Sequence, residues 1–249
     1  MSGDEKHEPD QRPASEPQRQ PIFLLPLAVT ALCGLLLAIQ AADSLVLNDG
    51  GREALLTWFA FIPYRLIDPT NVEGGWLPLL WTPVTHAFLH AGWEHVLLNS
   101  VWLAIFATPV AQRYGATKMF VLFLAGAVMG ALAFAATTLP AVQVLVGASG
   151  GIAALTGAAV RFVFQPPVVA VDPETGERRM LGRKLATLRE MLAHPTARIF
   201  SLLWIVLNGI VPLLPLVLGG ATVQIAWQAH LAGFFTGLLL VPLLERKHP

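Results

Sequence analysis

Residues 85–99 read Thr-His-Ala-Phe-Leu-His-Ala-Gly-Trp-Glu-His-Val-Leu-Leu-Asn and lead directly into an uncharged apolar segment, 96–110. That segment is predicted to be a membrane helix that begins near Trp93. His95 and Asn99 are four residues apart and therefore lie on one face of this helix. Polar groups at membrane depth cost free energy and mark functional sites. The helix is thus predicted to carry part of a site, and two more histidines lie just ahead of it, His86 and His90.

Five similar apolar segments accompany this one along the chain. The 249 residues are 55% hydrophobic and only 13% charged, with a mean hydropathy of +0.60, whereas a soluble domain carries about 25% charged residues. The single cysteine, Cys33, excludes an intramolecular disulfide framework. We therefore predict an all-α polytopic membrane protein, a six-transmembrane-helix bundle that forms one domain over 21–245. Its spans are expected at 22–42, 96–110, 119–139, 148–164, 199–218 and 223–244.

Three further segments lie outside the predicted spans. Residues 1–20 are rich in Pro, Gln and Glu and cannot bury enough apolar surface to fold, so they are predicted to be a disordered cytoplasmic tail. Residues 43–92 form a long outer loop whose Trp and Phe side chains favour the membrane interface. Residues 165–198 form a cytoplasmic connection. Val168–Val171, the turn at 172–176 and the basic stretch that runs to Arg189 together predict a small hairpin and a surface helix there.

The basic residues predict the orientation of the chain, because cytoplasmic segments of membrane proteins carry an excess of Lys and Arg. With a cytoplasmic N-terminus, only Arg52 and Arg65 of the 16 basic residues fall on the outer side. The other 14 fall on the inner side. Both termini are then cytoplasmic, as an even number of spans requires.

This topology brings together polar residues from three different spans. The second, fourth and sixth spans enter from the outer side, so their polar residues are expected at similar depth in the outer half of the membrane: His95, Asn99, Ser149 and His230. A hydrogen bond between Ser149 and His230 requires that the fourth and sixth spans approach closely. Small residues permit such an approach, and they recur every four positions on these two spans: Ser149, Ala153, Gly157, Gly233 and Gly237.

These residue types fit nucleophilic catalysis. A serine hydroxyl attacks only when a neighbouring base takes its proton, and His230 is the only ionisable residue in the apolar stretch of the last two spans. Unpaired backbone N–H groups at the start of a helix, here at Ser149, stabilise an oxyanion, and His95 and Asn99 are further donors. No Asp or Glu lies on a helix near His230, so a Ser–His dyad is predicted. The string Gly147-Ala-Ser149-Gly-Gly151 also matches the nucleophile elbow of α/β-hydrolases, but six spans leave no room for that sheet.

At these residues the chain resembles the rhomboid family of intramembrane serine proteases. The resemblance covers all six spans, roughly residues 22–244. It rests on residues 85–99, on Gly147-Ala-Ser149-Gly150 and on Ala229-His230-Leu-Ala-Gly233-Phe-Phe-Thr-Gly237, in that order and on the expected spans. The resemblance therefore implies a six-transmembrane-helix rhomboid-like bundle of the bacterial type.

The resemblance also implies a role for each of these residues. Ser149 would be the nucleophile and His230 the general base. The oxyanion hole would be formed by His95, Asn99 and the backbone N–H of Ser149. Neighbouring residues would support the site: His86, His90, Gly147 and Gly150. No metal and no organic cofactor would take part.

The resemblance further implies a substrate class and a location. Substrates would be single-span membrane proteins, cut near the outer membrane surface at small residues such as Ala. The membrane is expected to be a bacterial inner membrane, and the fifth span with the loop at 219–225 would gate lateral access to the site. The chain departs from the family pattern in two places. Many relatives carry Trp-Arg in the first loop, whereas Thr82 follows Trp81 here, and the connection at 165–198 is long for a six-helix member.

Other functions stay open from the residues alone. A proteolytically silent protein that only binds membrane partners would have the same fold, and labelling of Ser149 by a fluorophosphonate separates the two. A membrane metalloenzyme would use His86, His90 and His95, although no H-E-x-x-H motif occurs, and sensitivity to a chelator would reveal it. A transporter would need an inverted repeat with broken helices, and the sequence has none. A formal net charge of zero gives no signal for nucleic-acid binding.

Overall fold

The computed structural model describes residues 25–173, 176, 178–210 and 226–245. These residues form eight α-helices and one two-stranded antiparallel sheet. The helices are α1 (Leu27–Leu45), α2 (Asp49–Phe59), α3 (Thr82–Thr85), α4 (Trp93–Thr138), α5 (Ser149–Val163), α6 (Leu188–Ala193), α7 (Pro195–Ile205) and α8 (Trp227–Leu240). The strands are β1 (Pro167–Val171) and β2 (Arg178–Arg183). A π-helical turn follows α7 and a 3₁₀ turn follows α8: Val206–Ile210 and Val241–Leu244.

Helix α4 consists of two helical halves joined at Gly115. Gly115 has φ 82° and ψ 168°, a backbone conformation that glycine adopts readily and residues with a Cβ avoid. The halves run antiparallel, because the start of the first and the later part of the second both lie near the segment 145–147. His95 borders Gly147, and Ala131 belongs to the same apolar cluster as Leu145. The chain therefore reverses at Gly115. The two halves correspond to the predicted second and third spans: 93–114 and 116–138.

The apolar helices of the described residues match the predicted spans in number. Three are long and apolar enough to cross a bilayer: Leu27–Leu45, Trp93–Thr138 and Trp227–Leu244. Two shorter apolar helices accompany them: Ser149–Val163 and Pro195–Ile210. Since α4 makes two passes, these helices supply six passes and confirm the all-α polytopic membrane fold. Parts of three predicted spans lie outside the described residues, namely 22–24 of the first, 211–218 of the fifth and 223–225 of the sixth. The tail 1–20 and the loop 219–225 also lie outside them.

Helix α5 is the most deeply buried helix of the bundle. Every residue from Gly150 to Phe162 is buried. Glycines allow the neighbouring helix α8 to lie directly against it. A Cβ on Gly157 would collide with the backbone of Phe234, and a Cβ on Gly237 would collide with the carbonyl of Ala154. The close packing predicted from the spacing of small residues is therefore present.

The first loop, between α1 and α4, contains α2, α3 and four short 3₁₀ turns. Several of its large apolar side chains are exposed: Leu66, Ile67, Trp76, Leu77 and Leu80. Exposed apolar and aromatic side chains favour the boundary between headgroups and acyl chains. The expectation that part of the loop 43–92 lies in the membrane interface stays a prediction, and this surface supports it.

The connection at 165–198 contains both a hairpin and a surface helix, as its sequence predicts. Strands β1 and β2 pair antiparallel, with Val169 opposite Met180. The basic residues therefore lie largely on β2, because pairing with β1 satisfies the backbone of this segment. The surface helix, α6, begins only at Leu188. It begins there because Thr187 and Glu190 form a capping box.

Candidate active site

Polar residues from three helices meet at one end of the bundle. Ser149 is the first residue of α5, and His95 and Asn99 occupy the first two turns of α4. His230 lies in the first turn of α8. The sequence predicted a position about two turns into the sixth span, but α8 begins only at Trp227.

The segment that leads into α5 is held by backbone hydrogen bonds. The backbones of Leu145 and Phe61 exchange two bonds of 2.9 and 3.1 Å, and the N–H of Gly147 donates to the carbonyl of His86 at 2.9 Å. Gly147 has φ 122°, in the left-handed region that favours glycine. A Cβ at Gly147 would also lie 2.9 Å from Nε2 of His95. Both the backbone conformation and the space at this position therefore require glycine.

His95 borders the same small space as Ser149. A Cβ built on Gly147 would lie 2.8 Å from Cε1 of His95 and 3.8 Å from Oγ of Ser149. The backbone N–H of Ala91 donates to Nδ1 of His95 at 3.5 Å. Because Nδ1 accepts a hydrogen bond, the neutral ring carries its proton on Nε2. His95 is therefore able to donate a hydrogen bond towards Gly147, beside the serine hydroxyl.

Asn99 presents an unused hydrogen-bond donor one turn further along α4. The residue is only 6% exposed, and its Nδ2 is buried without a partner among the described residues. A buried donor that stays unpaired costs about 1–3 kcal/mol. An oxygen atom that carries negative charge would supply the missing acceptor.

Helix α8 approaches the start of α5 through the residues that flank His230. The carbonyl oxygen of Ala229 lies 3.5 Å from a Cβ built on Gly150, and a Cβ on Gly233 would collide with the carbonyl of Gly150. No hydrogen bond joins Ser149 and His230 in the described structure, and Nδ1 of His230 is buried without a partner. Catalytic hydrogen bonds are often long in free enzymes and tighten when substrate binds. The helices therefore place the two residues at the same end of the bundle, and no hydrogen bond between their side chains is present in the described structure.

His86 and His90, in the loop ahead of α4, contact backbone groups close to the candidate site. Nε2 of His86 lies 3.4 Å from the carbonyl oxygen of Ala127. Nε2 of His90 accepts from the N–H of Ala148, the residue before the serine, at 3.4 Å. Burial lowers the pKa of His86 to about 4 and is the largest cause of the lowering of the pKa of His90 to about 3. Both rings are therefore neutral at physiological pH, and their contacts fit the predicted supporting role.

The three histidines of this region do not converge on one point. The rings of His90 and His95 lie 5.0 Å apart at an interplanar angle of 78°. Within the described ranges, no three side chains among His, Cys, Asp and Glu are arranged to hold a metal ion. The described geometry therefore gives no support to the metalloenzyme alternative.

Arg65 is an anchor of the first loop that the sequence analysis did not identify. Its side chain is fully buried, and the guanidinium donates to three backbone carbonyls: Thr57, Glu73 and Gly75. Burial of a guanidinium is tolerated only when hydrogen bonds satisfy it. The sequence signal that could have revealed it is that Arg65 is one of only two basic residues in the apolar outer loop, with Arg52.

Trp81 and Thr82 occupy the place of the Trp-Arg pair that the resemblance led us to expect in the first loop. Nε1 of Trp81 donates to the carbonyl of Trp58 at 2.7 Å, and the two indole rings are stacked. The hydroxyl of Thr82 is buried without a partner. Among the described residues of this loop, Arg65 supplies a buried cation, whereas position 82 supplies a buried hydroxyl.

These helices and motifs place the chain in a known family of integral membrane proteins. The family model described as "Rhomboid domain" matches residues 78–247, which is more than half of the chain and includes all the candidate site residues. The chain therefore belongs to the rhomboid family.

Individual relatives agree with this assignment. The chain is 28% identical to the rhomboid protease GlpG of Pectobacterium atrosepticum over 204 residues, which is 82% of this chain and 59% of that protein. It is 27% identical to the rhomboid protease GlpG of Yersinia pestis over 217 residues, 87% of this chain and 61% of that protein. It is also 38% identical to the human rhomboid-related protein 3 over 79 residues, 32% of this chain and 19% of that protein. The chain thus spans about six tenths of the bacterial relatives and about a fifth of the human one.

Proposed function

We propose that this chain is an intramembrane serine endopeptidase that cleaves single-span membrane proteins near the outer membrane surface. Ser149 is the nucleophile and His230 is the general base of a Ser–His dyad. Membership of the rhomboid family supports this proposal, as does the description of the bacterial relatives as proteases.

One observation carries the proposal more than any other. The starts of three helices converge, and they carry a serine, a histidine and a buried amide donor that lacks an acceptor. A structural role for Ser149 alone, as a helix cap, would explain neither His230 beside the start of α5 nor the unpaired Nδ2 of Asn99. Hydrolysis of a peptide bond uses all three.

The acylation step follows from the chemistry of these groups. His230 takes the proton of Ser149 as Oγ attacks the carbonyl carbon of the scissile peptide. The carbonyl oxygen becomes an oxyanion, and the donors around it are the side chains of His95 and Asn99 and the backbone N–H of Ser149. His230 then gives its proton to the leaving amine, and the C–N bond breaks. An ester between Ser149 and the N-terminal part of the substrate remains.

Water completes the reaction. His230 takes a proton from the water as its oxygen attacks the ester, and the same donors stabilise the second oxyanion. Collapse of this intermediate returns the proton to Oγ of Ser149 and releases a carboxylic acid. Every proton is handled by His230, so the cycle requires no metal and no organic cofactor.

The location of the activity follows from the charge asymmetry of the chain. With both termini in the cytoplasm, the starts of α4, α5 and α8 face the outer side of a bacterial inner membrane. The peptide bond to be cut then lies near the outer surface, where water is available for the second step. Substrate residues next to the cut are small, such as Ala, as membership of the rhomboid family implies.

The proposal is tested by cleavage of a synthetic single-span substrate in proteoliposomes. Wild type and Ser100→Ala are expected to cleave, since Ser100 adjoins Asn99 but its hydroxyl bonds only to its own helix, at the carbonyl of Val96. Ser149→Ala and His230→Ala are expected to lose cleavage while staying folded and monodisperse.

Three results would contradict the proposal. Cleavage by Ser149→Ala would exclude this nucleophile. Loss of cleavage on addition of a chelator would point to a metal-dependent reaction. Failure of the wild-type protein to cleave any of a panel of Ala-containing spans, together with no reaction of Ser149 with a fluorophosphonate, would favour the silent scaffold.

A further inference from the structure

The hairpin β1–β2 exposes an apolar strand that the described residues do not cover. All five residues of β1 are exposed, with Val169 at 47% and Val171 at 58%. A two-stranded hairpin alone is only marginally stable in water. The exposed face of this strand is therefore available to a further surface.

The hairpin lies at the end of the bundle opposite Ser149. It follows the last turn of α5, whose first residue is the serine. Arg183, at the end of β2, donates to the carbonyl of Gln165, and Arg113, in the turn of α4, donates to the carbonyl of Arg183. These bonds tie the base of the hairpin to the reversal in the middle of α4 and to the end of α5.

A second link fixes the chain that follows the hairpin. Arg161, near the end of α5, is buried and donates to the carbonyls of Ala186 and Leu238, both at 2.6 Å. The next helix of the bundle, α7, begins soon afterwards, at Pro195. A five-residue strand spans only about 16 Å. Because both ends of the hairpin segment are fixed to the bundle, we expect the hairpin to stay close to the level at which these helices leave the bilayer.

The residues that follow the turn of the hairpin are strongly basic. Residues 178–189 contain five basic residues and no acidic residue: Arg178, Arg179, Arg183, Lys184 and Arg189. One of them, Lys184, pairs with Glu190. Basic clusters beside membrane helices are attracted to anionic phospholipids, and each Lys or Arg near the surface strengthens binding about fivefold.

Apolar and basic positions share one face of the hairpin. Alternate residues of a strand point to the same face, so Val169 and Val171 lie together. Their cross-strand partners are Met180 and Arg178. Two exposed leucines of α6, Leu188 and Leu192, are four residues apart and form a second apolar patch on one face of that helix. Such a combination of apolar and basic residues fits the boundary between headgroups and acyl chains.

We propose that the β1–β2 hairpin, continued by α6, docks on anionic phospholipid headgroups at the membrane face opposite Ser149. Val169 and Val171 insert between the headgroups, and Arg178 and Arg189 contact their phosphates. This docking does not depend on the proposed peptidase activity.

The docking is tested with a nitroxide spin label at Val169, in a Cys33→Ala background that leaves one reactive cysteine. The protein is placed in nanodiscs of phosphatidylcholine alone or with one quarter phosphatidylglycerol. Collisions with oxygen and with a water-soluble nickel chelate report the depth of the label. With phosphatidylglycerol, a label at Val169 is expected to become accessible to oxygen and shielded from nickel. A label at Ala170, on the opposite face of β1, is the matched control and is expected to stay accessible to nickel.

The charge dependence is tested with paired variants. Docking is followed by the shielding of the label at Val169 from nickel as phosphatidylglycerol is titrated. Arg178→Gln/Arg189→Gln is expected to lower the equilibrium constant for docking about 25-fold, since two cations are removed. Arg178→Lys/Arg189→Lys keeps both charges and is expected to dock like the wild type.

Three results overturn the proposal. A label at Val169 that stays accessible to nickel in every composition excludes docking. Equal shielding in pure phosphatidylcholine excludes the anionic headgroups as the partner. Shielding that rises with protein concentration in detergent assigns the surface to a second copy of the chain.

Discussion

Asn99 connects the proposed oxyanion hole with the stability of the fold. Its Nδ2 is buried and unpaired in the free protein, a condition that destabilises a fold but leaves a donor ready for a charge that develops during reaction. We expect Asn99→Ala to reduce the rate of substrate cleavage by about 10²–10³-fold, by analogy with the loss of other oxyanion donors.

The matched measurement for Asn99 is thermal unfolding. Because the variant removes an unsatisfied donor, its melting temperature is expected to equal or exceed that of the wild type. Ser100→Ala serves as the control for both assays. A cleavage rate near that of wild type would remove Asn99 from the oxyanion hole. A large drop in melting temperature would mean that Asn99 is a structural residue.

Two threonines in the first loop give a second prediction at this scale. The hydroxyl of Thr82 is buried without a partner, whereas that of Thr85 donates to the carbonyl of Phe59 at 2.7 Å. Thr82→Val is therefore expected to stabilise the protein by about 1 kcal/mol, and Thr85→Val to destabilise it by about 1 kcal/mol. Thermal unfolding in detergent checks both signs. The same shift for the two variants would show that the hydroxyl contacts do not determine the stability of this loop.

At the scale of elements, the packing of α8 on α5 determines how Ser149 and His230 meet. The contact is built on glycines, and Gly237 faces the backbone of Ala154 so closely that a Cβ cannot fit. Backbone cannot move aside as a flexible side chain does. Any added volume therefore pushes α8 away from α5 and shifts His230 relative to the serine.

This packing predicts opposite effects for two identical substitutions. Gly237→Ala is expected to destabilise the protein by about 1–3 kcal/mol through overpacking and to reduce cleavage. Gly34→Ala, in α1, meets open space and is expected to stabilise it by up to about 1 kcal/mol through helix propensity. Thermal unfolding and proteoliposome cleavage are measured side by side. Tolerance of Ala at Gly237 would contradict the close approach of the two helices.

The sequence predicted the helices well because apolar length and small-residue spacing are local signals. It predicted the hairpin from its turn but not the end of β2 at Arg183, because the boundaries of a strand are a weak local signal. It also missed the buried guanidinium of Arg65, since its three carbonyl partners come together only when the loop folds. Motifs also could not predict that Ser149 and His230 lack a hydrogen bond, because a motif specifies residue types and not side-chain geometry.

At the scale of the whole molecule, the candidate site residues lie at one end of the bundle and a group of basic residues lies at the other. At the latter end Arg113 pairs with Glu245, and Lys118 donates to the carbonyl of Leu244 at 2.6 Å. The structure thus agrees with the separation of charges along the chain. Hydropathy and charge were sufficient to predict the number of spans and which helix starts share an end.

The charge distribution predicts that both termini are cytoplasmic. A fluorescent protein fused after residue 249 is expected to fluoresce in bacterial cells, and alkaline phosphatase at the same position is expected to be inactive, because it matures only outside the cytoplasm. A phosphatase fused into the first loop after Asp49 is expected to show the reverse. Active phosphatase at the C-terminus would invert the topology and move the candidate site to the cytoplasmic side.

The most direct test of Ser149 as an activated nucleophile is its reaction with a fluorophosphonate, with the modified residue identified by mass spectrometry. The expected result is a single phosphonylated serine, Ser149, in wild type and in Ser100→Ala. The label should be lost in Ser149→Ala and strongly reduced in His230→Ala, since the base that activates the hydroxyl is then missing. Phosphonylation of a different serine, or equal labelling of Ser149 with and without His230, would contradict the proposed dyad.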